Sequence, residues 1–306
     1  MKATRIHSFG SSNVLTLEDA PRPEPGDGQV LIKVHAAGVN PVDWKIRSGQ
    51  FKKAEMRFPF TPGRDVSGVV EAVGRGVAGF KPGDEVYAFL GSHSGGYAEY
   101  ALAEETETAL KPRSLDHVHA AAVPLAATTA WQALFEHGNL QPGQRLLIQG
   151  AAGGVGHYAL QFAKAKGAAV IATGRSEDMD LLRSLGADEV IDYRKARFEE
   201  RARDVDFVLD LVGGETQERS WECLKDGGTL ISTLEQPSQE KAGEHHAKAT
   251  AMMAEPKAEQ LREITHLIEQ GKVKVVIEET FPLSEAKQAH DAIERRHTQG
   301  KIVLTV

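Results

Sequence analysis

The sequence of 306 residues has a single cysteine, no long apolar run and no excess of basic residues. The one cysteine, Cys223, excludes an intramolecular disulfide framework and any zinc lobe built from several cysteines. No apolar stretch approaches the roughly 20 residues that a membrane-spanning helix needs. The formal net charge is −7 and the lysines and arginines are dispersed, which argues against a nucleic-acid-binding face. We therefore expect no membrane span, no nucleic-acid partner and a cytoplasmic location, since the N-terminus also lacks a signal-peptide pattern.

The two halves of the chain differ in their predicted secondary structure. The first hundred residues contain short strand patterns between glycine turns, for example residues 28–36 and 65–73, which predicts a compact, partly closed sheet. From about the middle of the chain, strand and helix patterns alternate, which predicts a parallel, doubly wound sheet. Residues 194–203 are predicted to be helical and residues 273–277 to form a strand. The strand-like residues 302–306 are expected to return to the first domain.

A glycine-rich turn lies at the start of this alternating region. An apolar run at residues 146–148 precedes the turn, a helix-compatible segment follows it, and a second apolar run occupies residues 170–172. This βαβ pattern places a dinucleotide pyrophosphate at the N-terminus of a helix. Read as G-x-G-x-x-G, the first position is Ala151, and the next two glycines are in register. The predicted pyrophosphate-binding residues are Ala152, Gly153, Gly154, Val155 and Gly156.

The end of the next strand distinguishes the two nicotinamide cofactors. An NAD enzyme usually carries Asp or Glu there to hold the ribose 2′-hydroxyl, whereas this chain has Arg175 and Ser176. An arginine offers a planar cation to a 2′-phosphate, which favours NADPH, although Arg175 could also simply begin a surface loop. Glu177 and Asp178 are expected to cap the helix that follows.

Several motifs occur together, in order, over nearly the whole chain. They are Ala37-Gly38-Val39-Asn40-Pro41-Val42-Asp43, Pro62-Gly63-Arg64-Asp65-Val66-Ser67-Gly68, Gly83-Asp84-Glu85-Val86, the glycine turn at 150–156, and Gly300-Lys301-Ile302-Val303-Leu304. With these motifs the chain resembles the medium-chain dehydrogenase/reductase superfamily. Within it, the chain is similar to the zinc-independent quinone oxidoreductase branch, which includes zeta-crystallin-like proteins and enone reductases.

The resemblance implies an α/β protein of two domains. A GroES-like, β-rich substrate domain would comprise residues 1–124 and 275–306, and a Rossmann domain would comprise residues 125–274. NADPH would lie in the cleft between the domains, and hydride would pass to a quinone or to the β-carbon of an α,β-unsaturated carbonyl. Further cofactor contacts implied by the resemblance are Thr129, Tyr193, Val212 and Leu234, although Thr129 could equally be a helix-interior residue.

The zinc-dependent branch of the superfamily offers a direct contrast. Its metal ligands fall at positions where this chain has Asn40, Arg64 and Leu125, with only Asp65 surviving as a candidate ligand nearby. Catalytic zinc needs three protein ligands from Cys, His, Asp or Glu. We therefore expect no metal, and no alcohol dehydrogenation that depends on a Lewis acid.

Four residues are candidates for the substrate side of the reaction. Asn40 could hydrogen-bond the carbonyl or the nicotinamide, or cap a turn before Pro41, and Asp43 is a candidate proton relay. Many relatives carry a tyrosine two residues after the Asp43 position, but this chain has Lys45, which could stabilise an enolate oxygen or be solvated. Arg64 could contact a substrate oxygen or pair with a carboxylate such as Asp65.

Two readings of function remain open from the sequence. The first is an NADPH-dependent quinone or enone reductase, and the second is an NADPH-binding protein with little turnover, in a crystallin-like or interaction role. The missing tyrosine keeps the second open. We also expect a homodimer, because relatives place an edge strand that pairs across a two-fold axis at residues 246–253, although an intramolecular edge strand is the alternative.

Overall fold

The structure is a computed structural model that describes residues 1–51, 57–91, 94–295 and 297–306. The chain divides into two compact units. The first comprises Met1–Thr128, Glu255–Gln270 and Val275–Val306, and the second comprises Thr129–Ala254 and Gly271–Lys274. The segment Glu255–Gln270 thus belongs to the first unit, whereas the predicted domain bounds place it in the Rossmann domain. Among the described helices, none combines the length and the hydropathy that a transmembrane segment requires.

Strands account for the framework of both units. Among the described residues they are β1 (Lys2–Arg5), β2 (Thr16–Asp19), β3 (Gln29–Val39), β4 (Asp65–Val73), β5 (Glu85–Phe89), β6 (Tyr100–Glu104), β7 (Thr108–Leu110), β8 (Arg145–Gln149), β9 (Ala169–Gly174), β10 (Glu189–Asp192), β11 (Val205–Asp210), β12 (Leu224–Ser232), β13 (Lys248–Ala251), β14 (Ile277–Pro282) and β15 (Lys301–Thr305).

Helices connect these strands. The α-helices of the described chain are α1 (Pro41–Ser48), α2 (His117–Ala121), α3 (Pro124–Trp131), α4 (Gly156–Lys166), α5 (Met179–Ser184), α6 (Phe198–Arg201), α7 (Gly214–Ser220), α8 (Gln239–Glu244), α9 (Ala258–Glu269) and α10 (Ala286–Glu294). Short 3-10 turns occupy Ser12–Val14, Glu105–Glu107, Ser176–Asp178, Trp221–Cys223 and Leu283–Glu285, and a π-helical segment, Gln132–His137, extends α3.

The first unit is organised around the long strand β3. Its sheet has the order β14-β15-β3-β4-β5-β7, with β6 pairing with the amino-terminal part of β3. The antiparallel pairing of β15 with β3 returns the end of the chain to its first domain, as the sequence predicts. Alternate residues of β3 point into one apolar core, in which Val30, Ile32 and Val34 pack with Ile302 and Leu304.

The second unit contains a parallel sheet with the order β10-β9-β8-β11-β12-β13. Numbered from β8, this is the order 3-2-1-4-5-6 of dinucleotide-binding folds, and it confirms the predicted doubly wound sheet. In such a sheet the carboxyl ends of all strands meet at one edge, where ligands bind. The chain-order reversal lies between β8 and β11, so the glycine turn that follows β8 lies at the switch point.

Two local predictions differ from the structure. The predicted helix at 194–203 is reduced to one turn, α6, because the Asp192 carboxylate accepts a hydrogen bond from the Arg194 N–H at 3.0 Å and closes a turn instead. The strand predicted at 273–277 begins only at Ile277. That strand is an exposed edge strand held by backbone pairing with β15, so its polar residues carry little apolar periodicity.

Candidate functional site

The glycine turn of the second unit is closely packed at the start of α4. A Cβ added at Gly156 would lie 2.4 Å from the carbonyl oxygen of Gly150, so only glycine fits where the helix begins. Gly150 itself has a φ of 75°, in the left-handed region that favours glycine. The N–H groups at the start of a helix lack intrahelical partners and carry partial positive charge. The turn therefore leads into a helix N-terminus, the element at which phosphate groups bind in dinucleotide-binding folds.

Two further predicted cofactor residues lie beside this turn. A Cβ at Gly150 would lie 3.2 Å from Cγ2 of Val212, and a Cβ at Gly213 would lie 3.4 Å from Cδ1 of Leu234. The side chains of Val212 and Leu234 are both 47% exposed, which is high for large apolar residues at a sheet edge. The structure thus brings the turn, Val212 and Leu234 together, and their exposed apolar surface is available to a ligand.

Arg175, Ser176 and Tyr193 meet at the ends of β9 and β10. The backbone N–H of Tyr193 donates to the Gly174 carbonyl oxygen at 3.2 Å, and the Tyr193 side chain is largely exposed. The Arg175 Nε donates to Asp178 Oδ2 at 3.2 Å, and this bond raises the pKa of Arg175. Ser176 donates to the Asp192 carboxylate. Both predicted 2′-phosphate ligands therefore already contact a carboxylate, which a phosphate would have to displace or share.

The acidic residues after Arg175 do not act quite as predicted. Asp178 accepts the Arg175 backbone N–H at 2.8 Å, which caps the 3-10 turn Ser176–Asp178 rather than α5 itself.

Thr129, another predicted cofactor residue, is buried on α3, at 7% exposure. Its role toward the nicotinamide stays a prediction.

In the first unit, a buried polar cluster surrounds Lys301, at the start of the last strand. The Lys301 ammonium donates to the Val39 carbonyl oxygen at 3.1 Å, to Asn40 Oδ1, and to Asp65 Oδ2 at 3.5 Å. Asn40 Nδ2 also donates to Asp65 Oδ2, at 2.8 Å, and the Leu125 N–H donates to Asp65 Oδ1 at 2.7 Å. Burial raises the pKa of Asp65 and lowers that of Lys301, and the attraction between the two groups opposes both shifts. The cluster thus fixes the orientation of the Asn40 amide.

Asp43 lies at the end of a chain of directional hydrogen bonds. Arg47 can only donate, so Nδ1 of His290 accepts from it at 3.3 Å and Nε2 of His290 carries the hydrogen that points to Tyr97, also at 3.3 Å. Tyr97 in turn donates to Asp43 Oδ2 at 3.1 Å, and the Asn40 N–H donates to the same oxygen at 2.8 Å. Burial is the largest cause that raises the pKa of Asp43, to about 7. Because arginine does not release its proton, this chain orients Asp43 and does not relay protons to it.

The remaining predicted substrate-side residues are more accessible. Arg64 is partly buried, its Nη1 donates to the Gly91 carbonyl oxygen at 2.8 Å, and burial lowers its pKa. Asp65 is hydrogen-bonded to Asn40, Leu125 and Lys301 and is not paired with Arg64 as one alternative had it. Lys45 lies on α1 with an intermediate exposure. Asn40 and Asp43, by contrast, are each 1% exposed.

The donor set at the positions of the zinc ligands does not suit a metal. Asn40 and Asp65 are engaged by the Lys301 ammonium, and Leu125 contributes only a backbone N–H. Across the described ranges, no group of three or more His, Cys, Asp or Glu is arranged to hold a metal ion. At the place where zinc ligands would have to converge, the chain instead positions the ammonium group of Lys301.

Sequence reasoning missed Lys301, Tyr97 and His290 as parts of this cluster. Lys301 was visible only as a motif position, although a lysine that leads into an apolar strand signals a buried partner. Tyr97 and His290 carry no such signal, because they are separated by 193 residues.

Comparison with known proteins supports the fold and the family. The family described as alcohol dehydrogenase GroES-like domain matches residues 26–113, and the family described as zinc-binding dehydrogenase matches residues 185–304. The quinone oxidoreductase of Rattus norvegicus is 37% identical, covering 99% of this chain and 97% of its own. The 2-methylene-furan-3-one reductase of Solanum lycopersicum is 38% identical, covering 99% of this chain and 79% of its own.

Solved structures are similar to this chain over its whole length and point to the same kind of protein. The quinone oxidoreductase from Coxiella burnetii superposes with a TM-score of 0.93 at 37% identity, covering 100% of this chain and 99% of that one. The quinone oxidoreductase of Escherichia coli, solved in complex with NADPH, superposes with a TM-score of 0.90 at 28% identity, and each chain is covered fully. The fold is a GroES-like domain joined to a Rossmann domain, the architecture of a class of oxidoreductases. The chain belongs to the medium-chain dehydrogenase/reductase superfamily and is a quinone oxidoreductase-like member of it.

We predict that the Lys301→Met substitution destabilises the protein by about 3–5 kcal/mol, because it leaves the buried Asp65 carboxylate without its cation. Urea unfolding measures this change. The matched control is Lys2→Met, which removes the exposed pair between Lys2 and Asp19 and should change stability little. Equal losses of stability in the two variants would show that the buried pair contributes no more to stability than the exposed pair.

A second prediction concerns the pH dependence of stability. Burial, assisted by the charge of Arg47, lowers the pKa of His290 to about 3. The unfolded chain binds a proton on this residue below about pH 6.5 and the folded chain does not, so stability is lost as the pH falls below 6.5. A glutamine at 290 can accept from Arg47 and donate to Tyr97 without titrating. Between pH 7.5 and pH 5, the wild type should therefore lose about 2 kcal/mol more than His290→Gln in urea unfolding. Equal losses of stability in the wild type and in His290→Gln would contradict the assignment of this pH dependence to His290.

Proposed function

We propose that this protein is a zinc-independent, NADPH-dependent reductase that transfers a hydride to a quinone or to the β-carbon of an α,β-unsaturated carbonyl. The observation that carries the proposal is the edge of the parallel sheet. There a turn that admits only glycine at Gly156 opens α4, and the exposed Val212 and Leu234 lie beside it. This edge offers N–H groups to a pyrophosphate and apolar surface to the flat rings of a dinucleotide.

The preference for NADPH is supported by Arg175 and by relatives. The Escherichia coli neighbour is solved with NADPH, and a carboxylate for the ribose hydroxyls is replaced here by Arg175 and Ser176. When bound, the reduced nicotinamide supplies the hydride. Of this chain's residues, 152–156 would hold the pyrophosphate, Arg175, Ser176 and Tyr193 the 2′-phosphate, and Thr129, Val212 and Leu234 the remainder of the cofactor.

Zinc independence follows in this proposal from the chemistry of the Lys301 cluster. A metal at this place would need the Asn40 and Asp65 oxygens that the ammonium already occupies. The match to the family described as zinc-binding dehydrogenase covers residues 185–304, which leave out Asn40, Arg64 and Leu125.

On the substrate side, we assign direct contact to Arg64 and Lys45, because both side chains are partly exposed. A cation near the substrate oxygen stabilises the negative charge that develops there as hydride arrives. Asn40 and Asp43 are buried, and their contacts include Lys301 and Tyr97 respectively. Because Asp43 is 1% exposed, we assign the supply of the proton to solvent.

The alternative function is an NADPH-binding protein with little turnover. The observation that favours it is Lys45, which stands where many relatives carry a tyrosine.

The proposal further includes a homodimer and a cytoplasmic location. Strand β13 pairs with β12 within the chain and ends the order of the parallel sheet, which is consistent with a second copy pairing along its other side.

The reductase proposal predicts oxidation of NADPH in the presence of a panel of quinones and enones, measured as the loss of the absorbance of the reduced nicotinamide. The rate with at least one acceptor should be unchanged after treatment with a strong zinc chelator. Loss of activity on chelation would contradict zinc independence. Tight NADPH binding without oxidation by any acceptor would instead support the binding protein of low turnover.

The cofactor assignment predicts that Arg175→Ala weakens NADPH binding by about 10- to 100-fold, the worth of a charged hydrogen bond to phosphate, and leaves NADH binding nearly unchanged. Calorimetric titration with each cofactor measures both constants. The control is Arg183→Ala, which removes an exposed arginine on the neighbouring helix α5 and should alter neither. Equal weakening for both cofactors would refute the role of Arg175 in selecting the 2′-phosphate.

A further inference from the structure

A row of buried polar residues ends the strands of the parallel sheet. Gln149, Asp192, Asp210 and Ser232 are the last residues of β8, β10, β11 and β12, and each is at most 8% exposed. Strands of a parallel sheet are covered on both faces and are usually apolar throughout. Buried polar groups at the edge where ligands bind therefore require a structural reason.

Asp210 has the richest set of contacts in this row. Its Oδ1 accepts the N–H groups of Val212 at 3.0 Å and of Gly213 at 2.8 Å. Its Oδ2 accepts Gln217 Nε2 at 2.9 Å and the Ser232 hydroxyl at 2.8 Å. Four donors thus satisfy a carboxylate that is 0% exposed, and two of them belong to the loop that presents Val212.

Ser232 extends the same network to the next loop. Its hydroxyl donates to Asp210 and its oxygen accepts the N–H groups of Leu234 at 3.2 Å and of Glu235 at 3.4 Å. Gln217 adds a second link, since its Nε2 also donates to the Glu235 carbonyl oxygen at 3.3 Å. One carboxylate therefore holds the loops after β11 and after β12 in a single arrangement.

We propose that Asp210, acting through Ser232, is a positioning residue that fixes Val212 and Leu234 for the dinucleotide. The inference rests on the proposed cofactor and assigns a task to two residues that do not touch it. The loops are adjacent, because a Cβ at Gly213 would lie 3.4 Å from Cδ1 of Leu234. Loops that are ordered before binding lose less conformational entropy when the ligand arrives, and affinity rises accordingly.

The substitution Asp210→Asn affects the hydrogen bonds of the two loops differently. An asparagine oxygen can still accept from Val212 and Gly213, but its amide nitrogen then faces Gln217 and Ser232, which are both donors to that position. The Ser232 hydroxyl can then no longer donate to residue 210, and its oxygen, which already accepts from Leu234 and Glu235, faces a further donor. The link to the loop that carries Leu234 is therefore weakened, while the contacts to the loop of Val212 are retained. Ser232→Ala removes the same link from the other side, together with the acceptor of the Leu234 and Glu235 N–H groups.

The test is calorimetric titration of the full-length protein with NADPH. Asp210→Asn and Ser232→Ala should each raise the Kd about 10-fold, and the double variant should raise it little further, because both remove one link. In the absence of cofactor, amide hydrogen exchange at Leu234 and Glu235 should be faster in both variants. With an active acceptor, KM for NADPH should rise more than kcat falls.

The control is Asp206→Asn, at the opposite end of the same strand. Asp206 accepts the Arg145 N–H at 2.7 Å and pairs with Lys225, far along β11 from the ligand edge. It should leave the NADPH Kd unchanged even where it lowers the melting temperature. Unchanged Kd values in both Asp210→Asn and Ser232→Ala would overturn the inference, whereas failure of the wild type to bind NADPH would overturn the proposed function itself. Should Asp210→Asn not fold, Ser232→Ala decides alone.

Discussion

The buried contact between Lys301 and Asp65 is the constraint around which the first unit is assembled. Lys301 begins the last strand, Asp65 begins β4, and Asn40 ends the loop between β3 and α1, so a single ammonium joins three distant segments of chain. Removing two opposite charges from water is costly, and the geometry must supply enough hydrogen bonds to offset that cost. Here the backbone of Val39 and of Leu125 completes the set. The Asp65 carboxylate, the candidate metal ligand at these positions, is thereby occupied by an ammonium.

In the second unit, the main constraint is on the loops at the edge of the parallel sheet where ligands bind in such folds, because these loops must be held in place. Close backbone packing at Gly156 and hydrogen bonds from Asp210 and Ser232 hold the loops from below, so their upper surface can stay apolar and exposed. An exposed apolar side chain such as Leu234 gains nothing from the free protein. Together with Val212 it forms the exposed apolar surface on which the proposed cofactor site depends.

Much of the fold could be predicted because it depends on local patterns. Period-two spacing identified β3, the apolar run before the glycine turn identified β8, and the strand pattern at the end of the chain indicated the return of β15 to the first unit. The prediction was weakest where a side chain redirects the backbone. Asp192 closes a turn and shortens the expected helix to α6, and β14 is held by a neighbour's backbone rather than by burial. Neither effect leaves a periodic signal.

The sequence by itself determined the class of fold, the glycine turn and the identity of the residues that replace the zinc ligands. Only the tertiary structure decided what those residues contact. The partners Lys301 and Asn40 lie 261 positions apart, and nothing in the neighbourhood of either residue indicates the other. Likewise Asp178 and Asp192 were visible as acids, but only folding places them on Arg175 and Ser176. Local periodicity reports which face of an element is buried, whereas a hydrogen bond depends on where two elements meet in space.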